Sequence, residues 1–237
     1  MKNDFLQGLA DSVPIGLGYI SVSFSFGVMA VNMGVPLWAV VLISLWNLTS
    51  AGQFAGMQQI VAGASVAEIA LTQLVINIRY SLMSMSLSQK ADGSLTTGHR
   101  LATSFFITDE IFALASQRPD KLSRSYMYGV GAIPVLSWNL GTLLGAVAGG
   151  LMPEALRVSL NVALYAMFIA IILPPAKQDK AVLFAVGAAA AGSLALRYLP
   201  LFSRMSSGFA MIVCAVLAAI AAAFLFPVKE EGDDDGH

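Results

Sequence analysis

The sequence predicts an all-α integral membrane protein, a polytopic bundle of seven or eight transmembrane helices with several interrupted at mid-membrane. Three observations carry this expectation. Only 11% of the residues are charged and 57% are hydrophobic, whereas soluble domains carry roughly a quarter charged residues. The apolar runs are unbroken and near the ~20 residues that cross a bilayer as a helix. They lack the alternation over ~10 positions expected of barrel strands. Finally, poor helix formers lie in the middle of several runs.

Proline, glycine and charge punctuation sets eight segments, at 12–33, 36–62, 66–88, 100–117, 126–151, 157–175, 179–198 and 207–227. They form a single transmembrane domain over 1–227, with no room for a soluble domain. The first segment is expected to stay in the mature protein, because no cleavable signal pattern precedes it. The fourth segment is the weakest, with Asp109 and Glu110 at its centre. The tail 228–237, ending "EEGDDDGH", reads as solvated acidic disorder.

Sidedness follows from basic loop residues. With eight spans and a cytoplasmic N-terminus, these residues favour the cytoplasm slightly. With seven spans and an outside N-terminus, Lys90 and Arg100 join the cytoplasmic side, Lys2 leaves it, and the balance changes little. Both arrangements put "QRPDKLSR" and the C-terminus in the cytoplasm. A faint echo aligns 45–56 with 159–170, matching Asn47 to Asn161 and Phe54 to Phe168. Transporters are often built from two related halves.

Interruptions are expected where helix chemistry is poor. Segment two holds "NLTSAGQFAGMQQ", and a broken backbone is expected over Thr49, Ser50, Ala51, Gly52 and Gly56. Segment one has "SVSFSFG", and segment five has Pro134 before "SWNLG". An interruption in lipid must face protein or a water cavity, and freed N–H and C=O groups there bind substrates. The Gly141, Gly145 and Gly149 series reads instead as close helix packing.

Segment three poses an electrostatic problem. Gln73, Asn77, Ser81, Ser84 and Ser88 share one face of a helix, and Thr72, Arg79 and Ser86 nearly the opposite one. A cation at the bilayer centre costs at least about 2.5–3.5 kcal/mol. Arg79 therefore needs an anion, and Asp109 and Glu110 are the acids centred in an apolar segment. Two readings follow. The group is a permanent ion pair that fixes helix register, or the extra acid carries a proton while Arg79 docks a carboxylate with its planar fork.

Net charge is −1, so no nucleic-acid partner is expected. Cys214 reads as a packed small hydrophobe, His99 and His237 lie outside the segment cores, and no catalytic or metal-binding constellation occurs. Neither enzyme activity nor a cofactor or metal is expected.

"PIGLGYISVSFSFGVMA", "AGQFAGMQQI", "NIRYSLMSMSLS", "TDEIFAL" and "SWNLGTLLGA" occur in that order. The set resembles the AzlC family, the large subunit of bacterial branched-chain amino-acid exporters, over roughly residues 10–227. The resemblance implies a multi-pass protein of the bacterial inner membrane. It implies a secondary transporter exporting valine, leucine, isoleucine and often methionine by proton-motive-force-driven antiport. It also implies a small AzlD-type membrane subunit as partner; a homo-oligomer is left open. Gln53, Phe54, Asn77, Arg79, Asp109 and Glu110 match the family motifs.

On this reading Gln53, Phe54, Met57, Asn77 and Arg79 bind substrate. Asp109 or Glu110 binds the amino group or carries the coupling proton. The alternatives are a non-transporting scaffold subunit with a purely structural Arg–acid pair, and a channel.

Overall fold

The computed structural model describes residues 4–151, 153, 169, 172–173, 176–198 and 207–227. Nine helices occur among them: α1 Asp4–Asn32, α2 Leu37–Trp46, α3 Ser50–Val61, α4 Val66–Gln89, α5 Thr97–Ser104, α6 Asp109–Gln117, α7 Arg124–Leu151, α8 Lys180–Tyr198 and α9 Ser207–Leu225. The chain forms two compact units, Met1–Gly63 with Ile76–Asn161, and Ala64–Val75 with Val162–His237. In the second unit α8 packs on α9, with Gly192 against Cys214.

The first unit is built on α1 and α7, which among the described residues are the two helices long and apolar enough to cross a membrane by length and composition. A methyl group on Gly8 would run into the backbone of Tyr126 and Val130, and one on Gly129 into Phe5 and Gly8. One on Gly145 would strike the backbone of Phe24. Residue numbers rise together along this contact, from Gly8 against Gly129 to Val28 against Gly149. The two helices therefore run parallel and start at the same end. Small residues allow such close backbone approach, where dispersion contacts accumulate.

Two expected breaks are absent. α1 runs unbroken through "SVSFSFG", and α7 runs unbroken through Pro134. The serines bond back within the helix, Ser23 Oγ donating to Tyr19 O (2.7 Å) and Ser25 Oγ to Ser21 O (3.2 Å). Their hydroxyls are thereby satisfied without opening the backbone. α1 also begins at Asp4 rather than near 12, because Asp4 and Asp11 are tied down by partners at the start of α7.

Segment two is broken, but at 47–49. Asn47 and Thr49 are non-helical, and Asn47 Oδ1 accepts from Thr49 N (2.9 Å) and Thr49 Oγ1 (2.7 Å). The asparagine side chain offers the backbone an alternative to the helical ladder. Ser50, Ala51, Gly52 and Gly56 lie instead in regular helix α3, which corrects the expected extent of the break.

Segment four is not one helix. α5 has 8 residues and α6 has 9, about 12 and 13.5 Å long, and 105–108 separate them. Both outer ends of this pair meet. Ala91 and Leu122 form a β-bridge, with Asp92 N donating to Leu122 O (3.0 Å) and Leu122 N to Lys90 O (3.0 Å). Lys90 Nζ donates to Ser116 O (2.8 Å) and to Arg118 O. The α5–α6 pair is thus a hairpin with a stitched stem. The stem lies at the end where α1 starts, because Arg118 Nη2 reaches Asp4 Oδ1 (3.3 Å) and Ser123 Oγ donates to Asp4 Oδ2 (2.5 Å). The start of α1 and residues 118–124 therefore lie at the same end of the first unit.

Most of segment 157–175, the echo residues Asn161 and Phe168, and the tail 228–237 lie outside the described residues.

Candidate functional site

Three long helices each bring one chemically distinctive side chain near their midpoint: Tyr19 on α1, Arg79 on α4 and Trp138 on α7. The hairpin tip meets two of them. Thr108 caps α6, its hydroxyl accepting from Ile111 N, and Asp109 and Glu110 fill the first helical turn. Carboxylates there are favoured by the exposed N–H groups and the helix dipole.

Asp109 and Glu110 do not share Arg79. Arg79 Nη1 pairs with Asp109 Oδ2, and its Nη2 donates to the Tyr80 hydroxyl at 3.3 Å. Glu110 Oε2 accepts from the Tyr19 hydroxyl at 2.7 Å, and the Tyr19 hydroxyl oxygen also lies 2.6 Å from Thr108 Oγ1. A phenol has one proton, so the consistent assignment has Tyr19 donating to the carboxylate and Thr108 donating to Tyr19. Thr108 Oγ1 still accepts from Ile111 N. Among the described residues, no cation lies within ion-pair distance of Glu110.

The ion pair joins α4 to the hairpin tip as the sequence requires, yet it is not sealed inside the bundle. The Arg79 and Asp109 side chains are 42% and 43% exposed. Glu110 is exposed too, although its Oε2 is held against α1 by the Tyr19 hydroxyl.

Gln53, Phe54 and Met57 sit in a different environment, buried where α3 packs on the α1–α7 framework. Gln53 Nε2 donates to Ser44 Oγ (2.5 Å), Trp138 Nε1 donates to Gln53 Oε1 (3.0 Å), and Ser44 shares a 2.7 Å hydrogen bond with Thr142. Phe54 packs edge-on against Phe26, ring centroids 5.4 Å apart. Trp138 meets Tyr19 edge-on at 5.3 Å. A continuous line of side chains therefore runs from Ser44 and Gln53 through Trp138 and Tyr19 to Glu110. Asn77, half-buried one half-turn before Arg79, is on the same helix as the ion pair. Thr49, Ser50 and Ala51 open α3 close to Gln53.

Sequence reasoning missed Tyr19, Thr108, Ser44 and Thr142. A hydroxyl followed by two acids is a helix N-terminus signature, so "TDE" could have marked the tip. A tyrosine in an apolar span needs a polar partner, which singles out Tyr19.

The AzlC protein family matches residues 14–152. The inner membrane protein YgaZ of Escherichia coli K12 is 32% identical over 227 residues, covering 93% of this chain and 91% of its own. A membrane protein of Archaeoglobus fulgidus is 29% identical over 175 residues, covering 73% and 76% respectively. One from Helicobacter pylori J99 is 25% identical over 154 residues, covering 62% and 67%. No solved structure matches the chain. The matched stretch contains the framework helices, the ion pair and the hairpin tip, and the chain belongs to the AzlC family of proteins of the cytoplasmic membrane.

Proposed function

We propose that the chain is a secondary transporter exporting branched-chain amino acids, and methionine with them, in exchange for protons. The observation carrying this is the charge count at the hairpin tip: two carboxylates and one guanidinium, with the cation committed to Asp109. Glu110 is then the acid that can take and release a proton without breaking an ion pair. Tyr19 holds it in place in either state, since a hydroxyl can donate to a carboxylate or accept from a carboxylic acid. Arg79, half exposed beside Asp109, offers its remaining N–H groups to a substrate carboxylate. An apolar site separates side chains differing by one methylene by only about 1–3 kcal/mol, so overlapping aliphatic substrates are expected. A small AzlD-type subunit is the proposed partner.

The topology supports a mid-membrane site. Half-length α5 and α6, joined at one end, read as a re-entrant hairpin whose tip reaches the bilayer centre, where Tyr19 and Arg79 also lie. The stem end carries Lys90, Arg100, Arg118, Lys121 and Arg124, while the loop 33–36 at the opposite end carries no basic residue. The stem is therefore cytoplasmic by the positive-inside rule. Parity then constrains segment two. The chain leaves α1 on one side and enters α5 on the other, so segment two and α4 together cross an odd number of times. Unbroken α4, 24 residues and about 36 Å long, is the one that crosses, and α2–α3 turns back.

Proteoliposomes holding the chain, with and without the small subunit, test the function. Wild type is expected to release labelled leucine against an imposed pH gradient and to show leucine counterflow. Glu110→Gln is expected to keep counterflow and lose the pH-driven component. Normal proton-coupled export by correctly inserted Arg79→Ala, Asp109→Asn and Glu110→Gln variants would establish the scaffold reading of these groups instead.

A further inference from the structure

A second feature of the first unit lies away from the ion pair, between the C-terminal half of α4 and the hairpin. It is a cavity of about 600 Å³. Its floor is apolar, made by Leu87, Leu95, Ile107, Leu122 and Met127. Met85 and Leu101 stand on its rim, 64% and 71% exposed. The opening is thus flanked by exposed apolar side chains.

One charge borders it. Arg100, in the first turns of α5, donates from Nε to Leu95 O (2.9 Å) and from Nη1 to Ser88 Oγ (2.5 Å). A guanidinium has five N–H donors, and these two bonds fix its plane while leaving others for a ligand. Among the described residues no carboxylate lies within ion-pair distance of Arg100. The nearby cations differ. Arg118 is engaged by Asp4 and stacked on Tyr126, and Lys90 is spent on carbonyls. Ser84 and Ser104 add hydroxyls to the cavity wall.

We propose that this cavity is a binding site for an anionic phospholipid, its headgroup phosphate on Arg100 and an acyl chain in the apolar floor. Three features select that occupant. The exposed guanidinium, with no carboxylate in ion-pair distance among the described residues, is available to an anion. At about 600 Å³ the space exceeds the needs of a small aliphatic side chain, and its rim carries exposed Met85 and Leu101. The site sits at the end of α4 where the basic residues gather, the depth of lipid headgroups, and basic pockets between membrane helices are built to hold such groups. Because the cavity wall includes the hairpin from Thr97 to Ile107, a lipid seated there would brace the element that carries the acidic tip.

The test is native mass spectrometry on the full-length chain offered equimolar phosphatidylglycerol and phosphatidylcholine. Wild type is expected to retain phosphatidylglycerol over phosphatidylcholine, with Arg100 contributing about fivefold. Arg100→Gln should lose that factor and Arg100→Lys should keep most of it. Leu101→Trp, which narrows the mouth without touching Arg100, should reduce retention of both lipids. If Arg100→Gln fails to keep wild-type helical content by circular dichroism, the Arg100→Lys and Leu101→Trp results decide. Undiminished preference in folded Arg100→Gln, or undiminished retention in Leu101→Trp, would overturn the proposal. Displacement of phosphatidylglycerol by leucine would overturn it in favour of a substrate chamber. Displacement by inorganic phosphate alone would overturn it in favour of a free-anion site.

Discussion

α1 and α7 keep their backbone hydrogen bonds to themselves over 29 and 28 residues, whereas the α2–α3 and α5–α6 pairs give theirs up at 47–49 and 105–108. The two kinds of element solve different problems. The continuous pair is glycine-packed, parallel and buried along its contact, so it resists change. Each interrupted pair instead carries polar side chains to the middle of the unit: Gln53 from one, Asp109 and Glu110 from the other. Function in a bilayer needs both, because irregular backbone there survives only against protein or a water-filled cavity. The two breaks also differ. Just after 47–49, Gln53 is buried and satisfied by Ser44 and Trp138, while just after 105–108 the acids keep partial exposure beside their partners Arg79 and Tyr19.

The comparison can be broken first at its rigid side. Gly145→Leu places a side chain on the backbone of Phe24, which no rotamer change relieves. The expected cost is about 3 kcal/mol or more, read as loss of folded protein by thermal unfolding in detergent. Retention of wild-type stability would mean that α1 and α7 slide freely.

Gln53→Leu sharpens the contrast between the two breaks. It leaves the Trp138 indole N–H buried without its acceptor and is expected to cost about 1–3 kcal/mol. If Gln53 serves only the framework, leucine binding by the folded fraction is unchanged in isothermal titration. If Gln53 also touches substrate, affinity falls beyond what the unfolded fraction explains. The smallest effect is expected from Asn47→Ala, which removes both bonds to Thr49 at the α2–α3 break. A loss of about 0.5–1.5 kcal/mol in the same unfolding measurement is expected, with the framework intact.

Much of this organisation is written in local chemistry. Apolar run lengths located the described helices to within a turn or so, except at the start of α1, and the cost of a buried guanidinium led from Arg79 to "TDE". Two things were not legible. Residues 105–108, "FFIT", look like ordinary helix interior, so the break is visible only through the cap that Thr108 forms. The bond between 90–92 and 122 depends on residues far apart in the chain, and no local pattern encodes it. The reverse error, breaks expected at "SVSFSFG" and Pro134, arose because propensity says nothing about serines that bond back into their own helix or about a partner packed close along a proline-bearing one.

The stitch between Ala91 and Leu122 has a consequence for how the protein is made. During synthesis α5, the tip and α6 leave the ribosome before Leu122 does, and no strand exists yet to close the stem. The stem of the hairpin can therefore be closed only once the beginning of α7 has been made.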